Sequence, residues 1–184
     1  MMKDHHAFHP PLHLTLPRRQ VRAMTVFIGY RHSDRLQAQR IKRQLHKAGI
    51  EAHLDVMDFD SLSTLHVIEV LTQHISRCTH LLLMVSGVSA KSWWVPFEIG
   101  QATVGAQPVC CFQMGEQELP PYLQHWPTLT RLSQLEFFIE AYHRSQAGNP
   151  RALGGGHEAE RAQNPAEATE DFHKRLKARI FRGY

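Results

Sequence analysis

The sequence predicts a doubly wound α/β fold, in which helices cover both faces of a parallel sheet. Three observations support this prediction. Short apolar runs typical of buried strands alternate with amphipathic segments typical of helices. The run HLLLMVS (80–86) is continuously apolar, as expected of a central strand that is buried on both faces. The connections between segments are short, which favours parallel strands joined by helical crossovers.

Five strands are expected in this sheet. They lie at residues 24–30, 50–54, 80–86, 108–114 and 128–132, the last as a short edge strand. Five strands with five helices are typical of the flavodoxin-like member of this fold class.

The predicted helices are recognised by apolar residues at three- and four-residue spacing. They lie at residues 34–48, 65–75, 92–102, 133–142 and 164–184. Asp34 is the expected N-cap of the first helix, and Gly49 is expected to end it. Ser92 is the expected N-cap of the third helix, with Pro96 tolerated in its first turn. The inner face of the first helix is predicted to hold Leu36, Ile41, Leu45 and Ala48.

The chain divides into four segments. Residues 1–23 are rich in His and Pro and predict a poorly ordered arm, whereas residues 24–143 hold the alternating elements of the domain. Residues 144–163 contain GNPRALGGGHE and predict a flexible linker. Residues 164–184 predict an amphipathic helix, with a partner-binding or membrane-surface role as the alternative to packing on the domain. Its apolar side carries Phe172, Leu176 and Ile180.

Charge and cysteine content narrow the classes of function. The formal net charge is +4, yet residues 24–143 hold 9 Lys/Arg against 11 Asp/Glu, so the core is not expected to bind nucleic acid. No apolar run approaches the roughly 20 residues that span a bilayer. The odd number of cysteines, two of them adjacent, favours a reducing cytoplasm over a disulfide framework. The histidines of the N-terminal arm lack a fixed scaffold, so no metal site is expected.

One carboxylate stands out in the segment SWWVPFEIGQA, where Glu98 lies in a largely apolar helix start. Carboxylates are rarely buried unless they are paired or used in function. Trp94 lies four residues earlier on the same helical face, and the pair suits cleavage of a flat, charged heterocycle from a sugar. The alternative is a helix that docks through Trp93, Phe97 and Ile99 while Glu98 points into solvent. For Trp93, core packing is the expectation.

Fold geometry predicts where a ligand would bind. In doubly wound sheets, ligands lie outside the carboxyl ends of the strands, at the point where the strand order reverses. The segment from Tyr30 to Asp34 leaves the first strand, and the segment from Ser86 to Glu98 leaves the third. We therefore expect these two segments to converge.

Three blocks of sequence, in this order, resemble the Toll/interleukin-1 receptor (TIR) domain, particularly its bacterial members: VFIGYRHSD, LDVMDFD and LLLMVSGVSAKSWWVPFEIGQA. The resemblance covers about residues 24–143. It implies an enzyme that cleaves the nicotinamide–ribose bond of NAD, with Glu98 as the catalytic residue. Gly29, where the family more usually has Ser, is a departure, as are Pro96 and the doubled tryptophan. The substrate-binding residues that it implies are Tyr30, Arg31, Asp34, Asp55, Ser86 and Trp94.

The resemblance also implies partners and a setting. NAD would be the substrate, with no cofactor, and the domain would self-associate through TIR–TIR contacts that include the loop from Asp55 to Ser61. A cytoplasmic, stand-alone protein of this kind is similar to the signal-producing component of Thoeris anti-phage defence, which works with an effector protein and a phage trigger. The alternatives are NAD depletion, a non-catalytic adaptor, or a secreted effector. A response-regulator receiver is disfavoured because the third strand ends in Val85–Ser86 instead of Asp.

Overall fold

A five-stranded parallel sheet forms the centre of the domain in the computed structural model, which describes residues 25–56, 64–147 and 164–183. The strand order is β2-β1-β3-β4-β5, and each neighbouring pair is parallel. The doubly wound fold class is therefore confirmed, with the apolar run HLLLMVS at its centre. The strands are β1 (Thr25–Tyr30), β2 (Glu51–Val56), β3 (His80–Val85), β4 (Val109–Gln113) and β5 (Thr128–Leu129).

Five α-helices accompany the strands in the described part of the chain. They are α1 (Arg35–Lys47), α2 (Thr64–Arg77), α3 (Trp94–Val104), α4 (Leu135–Ala147) and α5 (Pro165–Arg182). Because α4 continues to Ala147, the first residues of the predicted linker belong to a helix. The rest of that linker, the predicted arm at 1–23 and residues 57–63 of the loop after β2 lie outside the described residues.

The sheet separates two apolar clusters because successive strand residues point to opposite faces. Val26 and Ile28 pack with α1, α4 and α5 on one face, whereas Phe27 packs with α2 and α3 on the other. β3 follows the same alternation and is buried at all six positions. Burial on both faces explains its continuous apolar sequence.

The start of α1 differs from the prediction. Leu36, expected on the inner face, is 76% exposed, and Ala38 takes its place beside Ile41 and Leu45. The difference follows from helical periodicity, because Leu36 lies two residues before Ala38 and five before Ile41, which places it on the far side of a helix with 3.6 residues per turn. Asp34 occupies the N-cap position but makes no side-chain capping bond to the described helix.

The helix ends predicted from turn residues are partly confirmed. Gly49 has a φ of 75°, the left-handed conformation that a glycine after a helix adopts readily. Asn164 caps α5, since its side chain accepts a hydrogen bond from the amide of Ala166. Ser92 is not the N-cap of α3: the helix begins at Trp94 with Trp93 in the N-cap position, and the Ser92 hydroxyl lies 3.4 Å from the Trp94 amide nitrogen.

Helix α5 packs back on the domain, as expected. Phe172 and Leu176 are buried in the cluster under α1 and α4, and Ile180 packs against it. Its narrow apolar stripe is thus covered by the chain itself. None of the described helices is both long and apolar enough to cross a bilayer.

At the β5 edge of the sheet, a side chain of α5 accepts a hydrogen bond from the backbone of β4. β5 pairs with only two residues of β4, Cys111 and Phe112. The amide of Cys111 donates to the carbonyl of Pro127 at 2.8 Å. The amide of Val109 points to the same side two residues earlier, and on that side no described strand lies next to it. Nε2 of His173 on α5 accepts a hydrogen bond from this amide at 2.9 Å. Helix α5 therefore satisfies a buried backbone donor of β4.

Candidate functional site

Glu98 is fully buried at the start of α3. Its exposed fraction is 0%, and Trp94, Val95 and Ile99 of the same helix are buried with it. The alternative in which Glu98 points into solvent is therefore wrong, although Phe97 and Ile99 pack in the apolar cluster as that alternative expected. A carboxylate in this position lies in a low-dielectric environment, where its electrostatic interactions are stronger than in water.

Three aromatic side chains surround the beginning of the same helix. The rings of Trp93 and Trp94 are stacked, with centroids 3.7 Å apart and planes inclined by 30°. Phe97 meets both rings edge-on, at 6.2 Å from Trp93 and 5.9 Å from Trp94. Trp94 is 9% exposed and Trp93 is 51% exposed. The expected core packing of Trp93 is thus wrong, because it is Trp94 that fills the core position.

The carboxyl ends of β1 and β3 lie side by side, as the expected convergence of the two segments that leave them requires. Gly29 near the end of β1 pairs in register with Leu83 of β3. By alternation with Phe27, Gly29 belongs to the face that α2 and α3 cover, so β1 presents no side chain there. The chain reverses its strand order at this point, with β2 on the other side of β1.

The position of Asp55 differs from the prediction. Instead of opening the loop, it lies within β2, and its Cα is in register with Gly29. The strand continues through Val56 because β1 offers pairing partners as far as Tyr30. The backbone of Asp55 is therefore at the same carboxyl edge as the other predicted site residues.

The predicted site residues at the end of β1 and after it differ in their burial and in the groups that they leave available. Tyr30 is 4% exposed and packs in the cluster under α1, on the opposite face from Trp94. Arg31 is half-buried in an extended conformation, and its carbonyl accepts a hydrogen bond from the amide of Asp34 at 2.8 Å. Oδ2 of Asp34 is buried and has no hydrogen-bond partner among the described residues. It is available to accept a hydrogen bond from a ligand hydroxyl.

Serine hydroxyls hold the turn between β3 and α3. The amide of Ser86 donates to Oγ of Ser89 at 2.7 Å, and the two hydroxyl oxygens are 3.3 Å apart. Oγ of Ser89, which is fully buried, also donates to the carbonyl of Met84 at 3.3 Å. Ser89 was not among the residues predicted for the site. The Ser-x-x-Ser spacing, which permits local side-chain to backbone bonds, is the signal that could have identified it.

The segment after β4 closes the other side of this turn. Nε2 of Gln113 donates to the carbonyl of Gln117 at 2.7 Å, and Nε2 of Gln117 lies 3.5 Å from the carbonyl of Val85. Gly115 has a φ of 89°, and a Cβ there would lie 2.7 Å from Oε1 of Gln117. The site is thus supported by β4 as well as by β1 and β3, and no motif in the sequence indicated this support.

A titratable group with a strongly shifted pKa lies at the other end of the sheet. Burial, with a smaller contribution from His173, lowers the pKa of His80 to about 3. His80 is the first residue of β3 and packs against Tyr142 and Phe172, with ring centroids 4.7 and 5.2 Å away. Shifted pKa values often mark active sites, but this histidine is a packed core residue at the amino edge. Among the described residues, no group of His, Cys, Asp or Glu could hold a metal ion.

Comparison with solved structures finds matches of low sequence identity, each with a TM-score below 0.5. Two structures of a metazoan TIR-STING receptor from C. gigas, the second in complex with 2',3'-cGAMP, match 75% of this chain with identities of 21% and 18% and TM-scores of 0.48 and 0.49. The matches cover 48% and 47% of those chains, so the present chain spans about half of their length. A diflavin flavoprotein A3 from Nostoc sp. matches 89% of this chain and 100% of its own at 16% identity and a TM-score of 0.41.

Comparison with curated proteins finds no match. Comparison with protein families matches residues 26–144 to the TIR domain. This segment includes β2 to β5, all of β1 except its first residue, the whole of α3 and the segment after β1. It also covers well over half of the chain, and the chain therefore belongs to the TIR domain family.

Proposed function

We propose that this TIR domain is an NAD nucleosidase that cleaves the nicotinamide–ribose bond, with Glu98 as the catalytic residue. The observation that carries the proposal is the complete burial of Glu98 on the helix that follows β3, beside the point where the strand order reverses. Burial of a carboxylate costs free energy that an apolar residue at the same position would not, and a role in function is a reason for a chain to keep it there.

The chemistry of NAD explains why a single carboxylate would suffice. The ring nitrogen of nicotinamide already carries a positive charge, so the ring leaves as a neutral molecule and needs no general acid. Ordinary glycosides differ in this respect and use a pair of carboxylates. What develops on the ribose is an oxocarbenium-like positive charge, which Glu98 would stabilise electrostatically or through hydrogen bonds to the ribose hydroxyls.

The surrounding residues supply positioning groups for such a substrate. The buried Oδ2 of Asp34 is an acceptor suited to a ribose hydroxyl, and the half-buried Arg31 beside it suits a phosphate. The turn at Ser86 and Ser89 holds the start of α3 against the end of β3. The aromatic side chains at the helix start suit a flat heterocycle. The product would be ADP-ribose or a cyclic or conjugated form of it, and a cytoplasmic role as the messenger-producing partner of an anti-phage effector would follow.

The direct test is product analysis with a matched pair of variants. The wild-type chain incubated with NAD should release nicotinamide, detected by mass spectrometry. Glu98→Gln removes the charge while it keeps the shape, and we expect it to lower the rate by about 100-fold or more. Glu136→Gln, an exposed carboxylate on α4, is the control and should keep the wild-type rate. Equal rates for Glu98→Gln and wild type would refute the catalytic assignment.

A non-catalytic adaptor is the second candidate, and exposed apolar residues favour it. Leu36 and Val88 are 76% and 62% exposed, and both follow strands that end at the candidate site. Such residues suit contacts between copies of the domain. If Leu36→Glu abolishes function in cells while Glu98→Gln preserves it, self-association without catalysis is the function. If Glu98→Gln abolishes both function in cells and NAD cleavage, the domain acts as a nucleosidase.

A further inference from the structure

We propose that the outward face of α1 binds the phosphate backbone of a double-stranded nucleic acid. The binding surface consists of Arg40, Arg43 and Lys47, which together form the basic stripe of this helix. The stripe lies on a different helix from Glu98, and the inference does not depend on the proposed nucleosidase activity. It departs from the expectation drawn from the net charge of residues 24–143, because a net charge does not show where the charges lie.

The cations of the domain are concentrated on one helix. Five of the nine Lys and Arg residues at 24–143 lie on α1, whereas all eleven Asp and Glu residues of that segment lie elsewhere. All five cations are exposed: Arg35, Arg40, Lys42, Arg43 and Lys47. Helix α1 is therefore a positively charged surface on a domain whose remainder is acidic, and such a surface attracts polyanions.

Helical periodicity places the three residues of the basic stripe in one line. The side of α1 that packs in the domain consists of Ala38, Ile41 and Leu45. The stripe lies on the opposite side, because its members follow one another at three- and four-residue spacing. At about 1.5 Å per residue the stripe extends over about 10 Å of the helix axis. A duplex carries one negative charge per about 1.7 Å of its own axis, so a stripe of this length faces several phosphates.

The cations of the stripe have no internal partner in the described part of the chain. None of the ion pairs found among the described residues involves α1. On α5, by contrast, Lys174 and Arg175 each pair with a carboxylate four residues earlier, at 2.8 and 2.7 Å. The stripe instead places like charges three and four residues apart, which is unfavourable in the free protein. A bound polyanion would relieve this repulsion.

The requirements of the helix itself do not explain the stripe. A cation in the last turn complements the helix dipole, which accounts for Lys47 but not for Arg40 and Arg43. Guanidinium groups match the geometry of phosphate oxygens, which they bind through paired hydrogen bonds.

The composition of α1 favours a duplex over other anionic surfaces. Its exposed large apolar side chain is Leu36 alone, so the helix has no second apolar side that would enter a lipid bilayer. It has no Phe, Tyr or Trp on which the bases of a single strand could stack. A straight row of charges on a rigid helix fits the fixed phosphates of a duplex, and the contacts would not depend on base sequence.

The experiment measures binding of the full chain to a fluorescent DNA duplex of random sequence by anisotropy, over a series of salt concentrations. The test variant carries Arg40→Gln, Arg43→Gln and Lys47→Gln together. Glutamine keeps a high helix propensity and removes the charge. The test variant should be no less stable than the wild type in thermal unfolding, because the repulsion within the stripe is gone.

The matched control carries Lys174→Gln, Arg175→Gln and Arg182→Gln on α5. It removes the same number of charges from three exposed positions of another helix. Any loss that the two variants share is therefore an effect of net charge, and the difference between them belongs to the stripe.

We expect the slope of log affinity against log salt to be smaller by about 2–3 in the test variant, with affinity lower by about 30-fold or more at about 0.1 M salt and the control within about threefold of wild type. The proposal is overturned if the test variant also binds within threefold of wild type, if the control loses as much, or if the wild-type chain does not bind the duplex. Displacement of the duplex by polyglutamate at an equal concentration of charge would assign the stripe to an acidic protein and would overturn it as well.

Discussion

Acidification should destabilise the fold through His80, which lies buried under α5. Its Nδ1 is 2.9 Å from Oγ1 of Thr79, its Nε2 is 3.3 Å from Oγ of Ser145, and aromatic rings pack around it. Burial lowers its pKa to about 3 in the folded state, from an ordinary histidine value of 6.5. The unfolded chain therefore binds a proton at a pH where the folded chain does not, and stability present above about pH 6.5 is lost as the pH falls toward 3.

The size of the effect follows from the two pKa values. At pH 5, an unfolded His80 is about 1.5 pH units below its pKa and protonated, while the folded side chain remains neutral. One pH unit is worth about 1.4 kcal/mol, so His80 should lower the free energy of unfolding by about 2 kcal/mol between pH 7 and pH 5. His173, whose pKa burial lowers to about 4, is partly exposed, and solvent screening limits its share to about 1 kcal/mol.

Urea unfolding at pH 7 and pH 5 measures this loss. In His80→Phe, which places an apolar ring among Phe138, Tyr142 and Phe172, the decrease between the two pH values should be about 2 kcal/mol smaller than in the wild type. The comparison is made within each protein, so any constant effect of the substitution cancels. His53→Gln, at an exposed position, is the control. An equal decrease in His80→Phe and wild type would refute the reasoning.

Two further substitutions test the backbone at the amino edge of the sheet, each by urea unfolding at pH 7. His173→Leu removes the acceptor of the Val109 amide and should lower the free energy of unfolding by about 1–3 kcal/mol. His173→Gln, which keeps an acceptor, should recover part of this loss. Equal free energies of unfolding for the two variants would contradict the hydrogen-bond argument. Ala106 has a φ of 49°, so Ala106→Gly should raise the free energy of unfolding by about 0.5–1 kcal/mol, and a decrease would show that the turn is not strained.

Elements specified by local pattern were predicted well. The continuous apolar sequence of β3 indicated a central strand, and the structure has it between β1 and β4. Gly49 and Asn164 mark helix ends, because left-handed backbone and side-chain capping are local properties. The prediction for Leu36 was wrong because this residue lies two positions before Ala38, on the far side of a helix with 3.6 residues per turn, so its apolar character alone did not show which side of α1 faces the sheet.

The candidate site was predicted in outline. The adjacency of β1 and β3 followed from fold rules, whereas the sequence left open whether Glu98 is buried or exposed. The burial of Trp94 in place of Trp93 was not predicted, because the N-cap lies one residue after the predicted Ser92 and neighbouring tryptophans cannot be told apart by composition. The contribution of Gln117 depends on contacts between segments far apart in sequence, which no local pattern encodes.

The hydrogen bond between His173 and Val109 helps to determine how far a recombinant fragment of this protein must extend. The family match ends at residue 144, but Phe172, Leu176 and the imidazole that completes β4 all lie beyond it. A truncated chain that stops at the family boundary would carry an open strand end and an uncovered apolar surface, which together favour strand addition from other molecules and aggregation. The cooperative folding unit therefore extends through α5, and recombinant fragments should include it.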